Sequence, residues 1–209
     1  RFDGVFWTPV NNGLPLLEIR SLTVINGVLW AATGAEVVQF DGTAWASVGG
    51  GAGPMGSRTV AADEGGNIWI GAARNGLGRL ENGLWRFLES TGPAANIIDA
   101  IYVDRRSILW CGFKEGGVSR FDGQEWVSYT TDDGLVAETI SMVGEDPSGK
   151  KWFGSFGKGL ARLDDNATAD KTDDSWEQFD QNNSVFEGIP SDPGFVVVNS
   201  WDIDHSGGQ

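Results

Sequence analysis

Short apolar runs, cut by glycine, aspartate and asparagine, succeed one another along the chain, and one phrase returns at nearly even intervals. It reads NGVLWAA at residues 26–32, GGNIWIG at 65–71, RSILWCG at 106–112 and GKKWFGS at 149–155. Between these lies a second marker, FDG at 2–4, 40–42 and 121–123, with the variants LENG from Leu80 and LDD from Leu163. Each marker is soon followed by an aromatic: Trp7, Trp45, Trp85, Trp126 and, after an insertion, Trp176. With Trp30, Trp69, Trp110 and Trp152 in the first phrase, nine of the ten tryptophans fall into two registers. A period of about 40 residues is that of propeller blades built from four strands each.

The copies align on apolar-x-x-apolar-x-x-D-x-x-G-x-I-W-x-G, a loop, and G-L-x-R-F-D-G-x-x-W-x-x-[FY]. Four strands fit this unit. The first ends at Asp63, Asp104 or Asp146, the second carries the inner tryptophan, and the third carries LGRL, VSRF or LARL. The fourth carries the outer tryptophan and a terminal aromatic such as Phe87, Tyr129 or Phe179. Aromatic and β-branched runs between Gly, Asp and Asn turns are the expected signal for short strands. An Asp closing the first strand can accept hydrogen bonds from its own turn, where Gly66 or Gly149 supplies a positive φ. Asn26-Gly27 does the same in two residues as a type I′ hairpin. The indoles are expected to wedge between neighbouring sheets, each N–H finding a partner at an edge. In IIDAIYVD, residues 97–104, apolar residues occupy both faces, which suits a strand covered on both sides and not a sandwich with one wet face.

These patterns predict an all-β fold: a β-propeller of four-stranded antiparallel blades, one segment over residues 1–209. About four complete blades are expected, at 18–48, 57–88, 97–129 and 138–179, with partial blades at 1–9 and 196–209. Propellers close with about four to eight blades, so the chain reads as part of a propeller of about six to eight.

Composition narrows the partners. The net charge of −14 and a pI near 4.3 oppose phosphate backbones and anionic lipid headgroups, so nucleic acid and membrane surfaces are excluded as expected partners. No apolar run approaches the roughly 18 to 20 residues that span a bilayer, so no membrane insertion is expected. The chain opens on Arg1, without a Met or a signal-peptide pattern, and its natural start is expected upstream. A lone Cys111 excludes an internal disulfide framework and a cysteine-based zinc site, and no cofactor is expected.

The stretches AADEGGNIWIGAARNGLGRLENGLWRF from Ala61 and GEDPSGKKWFGSFGKGLARL from Gly144 resemble two-component regulator propeller repeats. That pattern is D-x-x-G-x-[IL]-W-[IFV]-G-[TS], a Gly-rich turn, and G-L-x-R-[FY]. The resemblance covers nearly the whole chain. It departs at Ala31 and Ala32, at Ser107 in place of a turn Gly, and in the last, incomplete copy. It implies a bacterial, periplasmic or extracellular protein, such as the sensor portion of a hybrid histidine kinase responding to glycan fragments, with flanking signalling domains. Secreted propellers share the same repeats.

Loops from second to third strands and between blades are expected to share one mouth of the central channel. They carry Glu36, Arg74, Asn75, Lys114, Glu115, Phe156 and Lys158. Arg74, Asn75, Lys114 and Lys158 are candidates to meet ligand carboxylates, and Phe156 to stack on a sugar, against the plainer reading of solvated turn residues. Trp201 falls in the slot held elsewhere by Val60, Ile101 and Val143, as core filler or as a ligand platform. The insertion with Asp164, Asp165, Asp170, Asp173 and Asp174 lacks the oxygen spacing of an EF-hand and reads as a solvated hairpin extension.

Catalytic patterns are weak. His205 is the only histidine and has no local partner set for nucleophilic catalysis, and Cys111 reads as core filler. Asp99, Glu145 and Asp202 are conceivable glycosidase carboxylates, but repeat-related Asp mostly form turns. The leading expectation is a non-catalytic binding and sensing module recognising a carbohydrate or a protein. A structural, assembly-mediating surface propeller and a carbohydrate-active enzyme are the alternatives.

Overall fold

The computed structural model describes residues 4–6, 8–15, 18–49, 56–88 and 95–180, and the backbone of 196–197. Sixteen strands form four antiparallel sheets, each taking four strands in chain order. The first sheet holds β1 (Ser21–Ile25), β2 (Val28–Ala32), β3 (Val37–Phe40) and β4 (Trp45–Ser47). The second holds β5 (Ser57–Ala62), β6 (Ile68–Ala72), β7 (Gly76–Glu81) and β8 (Leu84–Phe87). The third holds β9 (Ile98–Val103), β10 (Leu109–Phe113), β11 (Val118–Phe121) and β12 (Trp126–Tyr129). The fourth holds β13 (Ile140–Glu145), β14 (Lys151–Gly157), β15 (Leu160–Asp164) and β16 (Ser175–Phe179), with a 3-10 turn at Lys171–Asp173 before β16. A short β17 (Val196–Val197) pairs with Phe156 and Gly157 of β14. Trp7, Trp201, Asp202 and His205 lie outside the described residues.

β1 lies beside β5, β5 beside β9 and β9 beside β13, and each second strand packs on the first strand of the next sheet. The first strands are therefore innermost and the sheets follow one another about an axis, the architecture of a β-propeller. Each gap between sheets is filled from the two repeats that border it. Trp30 packs with Val37, Val60 and Ile70; Trp69 with Leu77, Ile98 and Ile101; Trp110 with Val118, Ile140, Val143 and Phe153. An aromatic side chain of this size buries about 150–250 Å². At about 25 cal/mol per Å² that is about 4–6 kcal/mol of gross transfer free energy per wedge.

The wedge is usable because its N–H is satisfied. Trp69, Trp110 and Trp152 donate from Nε1 to Oδ2 of Asp63, Asp104 and Asp146 at 3.1, 3.0 and 2.9 Å. Oδ1 of the same aspartates accepts the backbone N–H of Asn67, Ile108 and Lys150 across the turn. One carboxylate thus closes the hairpin and orients the indole. Directly opposite in the ladder, Arg79, Arg120 and Arg162 set their guanidiniums 5.5, 5.9 and 5.2 Å from the tryptophan ring centres. In the first sheet Asn26 and Gly27, at φ 51° and 78°, make the expected two-residue turn, with no Asp bracket. Ser107 takes φ 61°, doing as a serine what Gly66 and Gly149 do in the neighbouring copies.

The glycine after each inner tryptophan is a matter of space. A Cβ on Gly112 would lie 2.8 Å from Ile140 Cγ2, and one on Gly71 2.6 Å from Ile98 Cγ2, both on the next sheet. Ala32 holds this place in the first sheet, where the residue matching Ile98 and Ile140 is Ser57. The departure in sequence is matched by a smaller residue across the gap.

The acidic insertion is solvated along residues 166–170, as expected, but it is also anchored to the protein. Asp165 is buried and its carboxylate meets Arg106 and Arg120, while Arg120 donates to the carbonyls of Thr168 and Ala169 at 3.2 and 2.7 Å. Lys171 reaches the Ser128 carbonyl and Asp133, each at 2.7 Å. The insertion between β15 and β16 therefore folds back on the third sheet and clasps it to the fourth. The arginine of the repeat was legible, but its partner from the next blade was not.

Gly112→Ala is expected to lower stability in urea titrations by about 1–3 kcal/mol, the range for overpacking, and to cost less when made in an Ile140→Ser background, where the clashing Cγ2 is gone. For Asp146, burial raises the pKa, but hydrogen bonds from Ser148, Trp152 and Lys150 outweigh it and leave the carboxyl below its ordinary value. A depressed folded pKa contributes stability that is present above about pH 4 and lost as pH falls through the folded value. Asp146→Ala should therefore cost about 1–3 kcal/mol at neutral pH, and its gap from the parent protein should close as unfolding is repeated in steps from pH 5 to pH 2.

Candidate functional site

Three inner strands open with the same irregularity. The pairing of first and second strands shifts between Ser57 and Thr59, at Asp99 before Ala100, and between Ile140 and Met142. Each shift is a β-bulge, in which one extra residue is left out of the ladder and the side chain is re-aimed. The extra residues are Arg58, Asp99 and Ser141. Ser21 faces Ala32 as Thr59 faces Gly71, so the matching residue of the first sheet is Arg20.

Two of these residues meet across the gap between adjacent inner strands. Arg58 Nη1 lies 2.8 Å from Asp99 Oδ1, with side chains 24% and 18% exposed. Burial raises the Asp99 pKa, and the charges of Arg58, Lys114 and Arg20 only partly offset it. Among the described residues neither Arg58 Nε nor Asp99 Oδ1, though buried, makes a hydrogen bond, so the pair is held by charge and not by hydrogen-bond geometry. Arg20 pairs with the more exposed Glu18 at 2.9 Å. A Cβ on Gly34 would lie 3.0 Å from Arg20 Nε, which places this guanidinium against the turn between β2 and β3.

The sequence-expected rim residues surround this pair unevenly. Lys114 and Phe156 occupy the same repeat position on neighbouring sheets, Lys114 just after β10 and Phe156 near the end of the longer β14. Thr139 joins them, donating from Oγ1 to the Lys114 carbonyl at 2.6 Å and accepting the Phe156 N–H at 3.3 Å. Both are exposed, Phe156 to 54%. Lys158 is exposed two residues beyond Phe156, and Arg74 and Asn75 are exposed on the turn between β6 and β7. No described contact ties Arg74 or Asn75 to the cluster about Asp99. Trp201 cannot be placed in it, because it lies outside the described residues.

Turns and connections do share this end. Gly34 N–H donates to the Ser57 carbonyl, Gly56 N–H to the Gly34 carbonyl and Gly117 N–H to the Glu138 carbonyl, at 3.0, 2.9 and 3.0 Å. Arg20 and Arg58 were not singled out in sequence. Their signal was register, a charged residue two places before each core position held by Leu22 and Val60, but a bulge breaks the alternation that would have shown where the side chain turns.

A second charged cluster has a different character. Lys151, 1% exposed at its side chain, lies 2.9 Å from Glu145 and 3.4 Å from Asp104. Lys151 also donates to the Gly149 carbonyl at 2.7 Å, and Arg105 Nε lies 3.0 Å from Glu145. Glu145 and Lys151 are a cross-strand pair where the other sheets have Ala62 with Ile68 and Val103 with Leu109. Glu145, one of the conceivable catalytic carboxylates, is thus committed to holding the third and fourth sheets together. Among the described residues no group of three or more His, Cys, Asp or Glu could hold a metal ion. Cys111 is fully buried, with its thiol pKa raised by desolvation.

The sheets and their rim define a propeller with a charged inner edge. No family model matches the chain, and no curated protein matches it. Solved structures do. The extracellular domain of a B. thetaiotaomicron protein assigned as a hybrid two-component system aligns at TM-score 0.66 and 22% identity, over 83% of this chain and 26% of that one. PorZ, a surface component of the type-IX secretion system of Porphyromonas gingivalis, aligns at TM-score 0.65 and 22% identity, over 81% of this chain and 28% of that one. Virginiamycin B lyase from Staphylococcus aureus aligns at TM-score 0.56 and 14% identity, over 75% of this chain and 54% of that one. The chain spans about a quarter of the length of the first two. At these identities the likeness is one of fold.

Lys151→Met is expected to destabilise the protein by about 3–5 kcal/mol, because it strands buried carboxylates. In Glu145→Leu/Lys151→Met most of the loss should return, as the apolar pairs of the other sheets imply, and thermal unfolding of the three proteins checks this.

Proposed function

We propose that this chain belongs to a non-catalytic, ligand-binding β-propeller working outside the cytoplasm, which presents the rim around Lys114 and Phe156 to a carbohydrate or protein. The observation that carries the reading is an exposed lysine and an exposed phenylalanine whose backbones are bridged by one threonine, on a rigid scaffold and beside a half-buried ion pair. Exposed polar groups beside an aromatic on ordered loops are the usual dress of a recognition surface. Two further facts support it: extracellular domains of two-component systems share the fold, and among the described residues no helix is long and apolar enough to cross a membrane. Flanking signalling domains in a longer chain complete this reading.

Screening the protein against neutral and acidic oligosaccharides should yield ligands whose binding falls at least about tenfold in Lys114→Ala/Phe156→Ala, a loss of the size expected for one charged and one aromatic contact. An empty screen, or ligand binding that the double variant leaves unchanged, would overturn this reading.

A further inference from the structure

We infer that the bulged residues at the inner edge form a carboxylate-binding site, in which Arg58 is the anion receptor and Asp99 its built-in occupant, displaced when a ligand carboxylate enters. The inference rests on the ligand-binding reading above and specifies the chemistry that this rim selects.

Three observations converge on it. First, the ion pair is close but poorly satisfied. Arg58 Nη1 lies 2.8 Å from Asp99 Oδ1, yet among the described residues Oδ1 accepts no hydrogen bond and Arg58 Nε finds no acceptor. A guanidinium offers a planar fork suited to two parallel bonds to one carboxylate, and Asp99 does not engage it in that way. A ligand carboxylate bound through Nε and an Nη would satisfy the donor that Asp99 leaves idle. Second, the charges acting on Asp99 are all positive: Arg58, Lys114 and Arg20. In a chain of net charge −14, a convergence of cations upon one carboxylate sets this spot apart from the surface around it. Glu18, which pairs with Arg20, and Glu115, which follows Lys114, are the nearby carboxylates to be counted, and both are exposed to water. Third, packing does not explain these residues. Bulged positions lie outside the ladder, and the fourth sheet puts a serine, Ser141, at the same place without losing its pairing.

Phe156, one sheet beyond Lys114, sets a second limit on the ligand. Its exposed ring favours a carboxylate carried on a body with an apolar face. Such a body can be a sugar acid or an aryl acid, and the shared demand is one carboxylate beside a flat apolar surface.

The test uses matched pairs that differ in the acid group: D-glucuronate against D-glucose, and benzoate against benzyl alcohol, titrated by NMR into the protein at low and at 0.3 M salt. The acid of at least one pair should bind about tenfold or more tightly than its neutral partner, with the preference reduced by salt. Which pair responds separates the sugar acid from the aryl acid. Asp99→Asn, which removes the internal competitor, should tighten acid binding about tenfold. Arg58→Gln/Asp99→Asn, which removes the ion pair as a unit and leaves no charge stranded, should abolish the preference while circular dichroism stays unchanged. Equal binding of acid and neutral partners, absence of binding by all four probes, or acid binding that survives loss of Arg58 would overturn the inference. Neutral saccharides that bind through Phe156 without preference would leave the ligand-binding reading standing and remove the carboxylate site alone.

Discussion

The structure depends on keeping an indole dry on its faces and hydrogen-bonded at its edge. Trp69 and Trp110 are buried between consecutive sheets, and each reaches back to an aspartate at the close of its own first strand. Without the aspartate, an N–H buried in the gap would carry an unmet desolvation cost of about 1–3 kcal/mol. Without the indole, the gap would lose the largest apolar body in the interface. The rest follows from this pairing: the turn bends to aim the carboxylate, the residue after the tryptophan shrinks to admit the next inner strand, and the arginine opposite lies over the ring.

Against this uniform frame, the departures identify where the molecule is individual. Between the third and fourth sheets apolar packing is supplemented by Asp104, Glu145, Lys151 and Arg105, and by Asp165, which joins Arg106 and Arg120. Buried pairs of this sort add little net stability over apolar residues of the same size, but they penalise any arrangement that separates the partners. Their effect is to fix which surface the acidic insertion covers. A loop rich in aspartate can fold back on its own protein only because two arginines on the third sheet await Asp165.

The fold was legible because its signals are redundant: tryptophans in two registers, Asp-Gly turns at fixed offsets, and apolar residues on both faces of the first strand all pointed to the same sheet. The exposure of the insertion was legible but its anchoring was not, because charge density in sequence does not reveal where opposing charges lie in space. The rim was half legible. Lys114 and Phe156 stood out as unusual residues in turns, and the structure sets them beside each other. Arg58 and Asp99 sit inside strands whose alternation suggested a structural role, and only the register shift turns them out of the ladder. Their contact spans 41 positions in sequence, joining residues with the same place in successive repeats.

That equivalence explains how such a fold can acquire a site. In a ring of similar sheets, the residue at this place on every inner strand is delivered to the same height on the axis, so the chain presents the bulged Arg58, Asp99 and Ser141, and the unbulged Arg20, at one end although they are far apart in sequence. These positions escape the constraint of the tryptophan wedge, since they neither fill the gap between sheets nor complete the ladder. A change of side chain there alters the charge at the inner edge and leaves the packing that holds the sheets intact. The same short strand thereby carries two kinds of residue, the buried ones facing the neighbouring sheets and the bulged one free of the ladder at the inner edge.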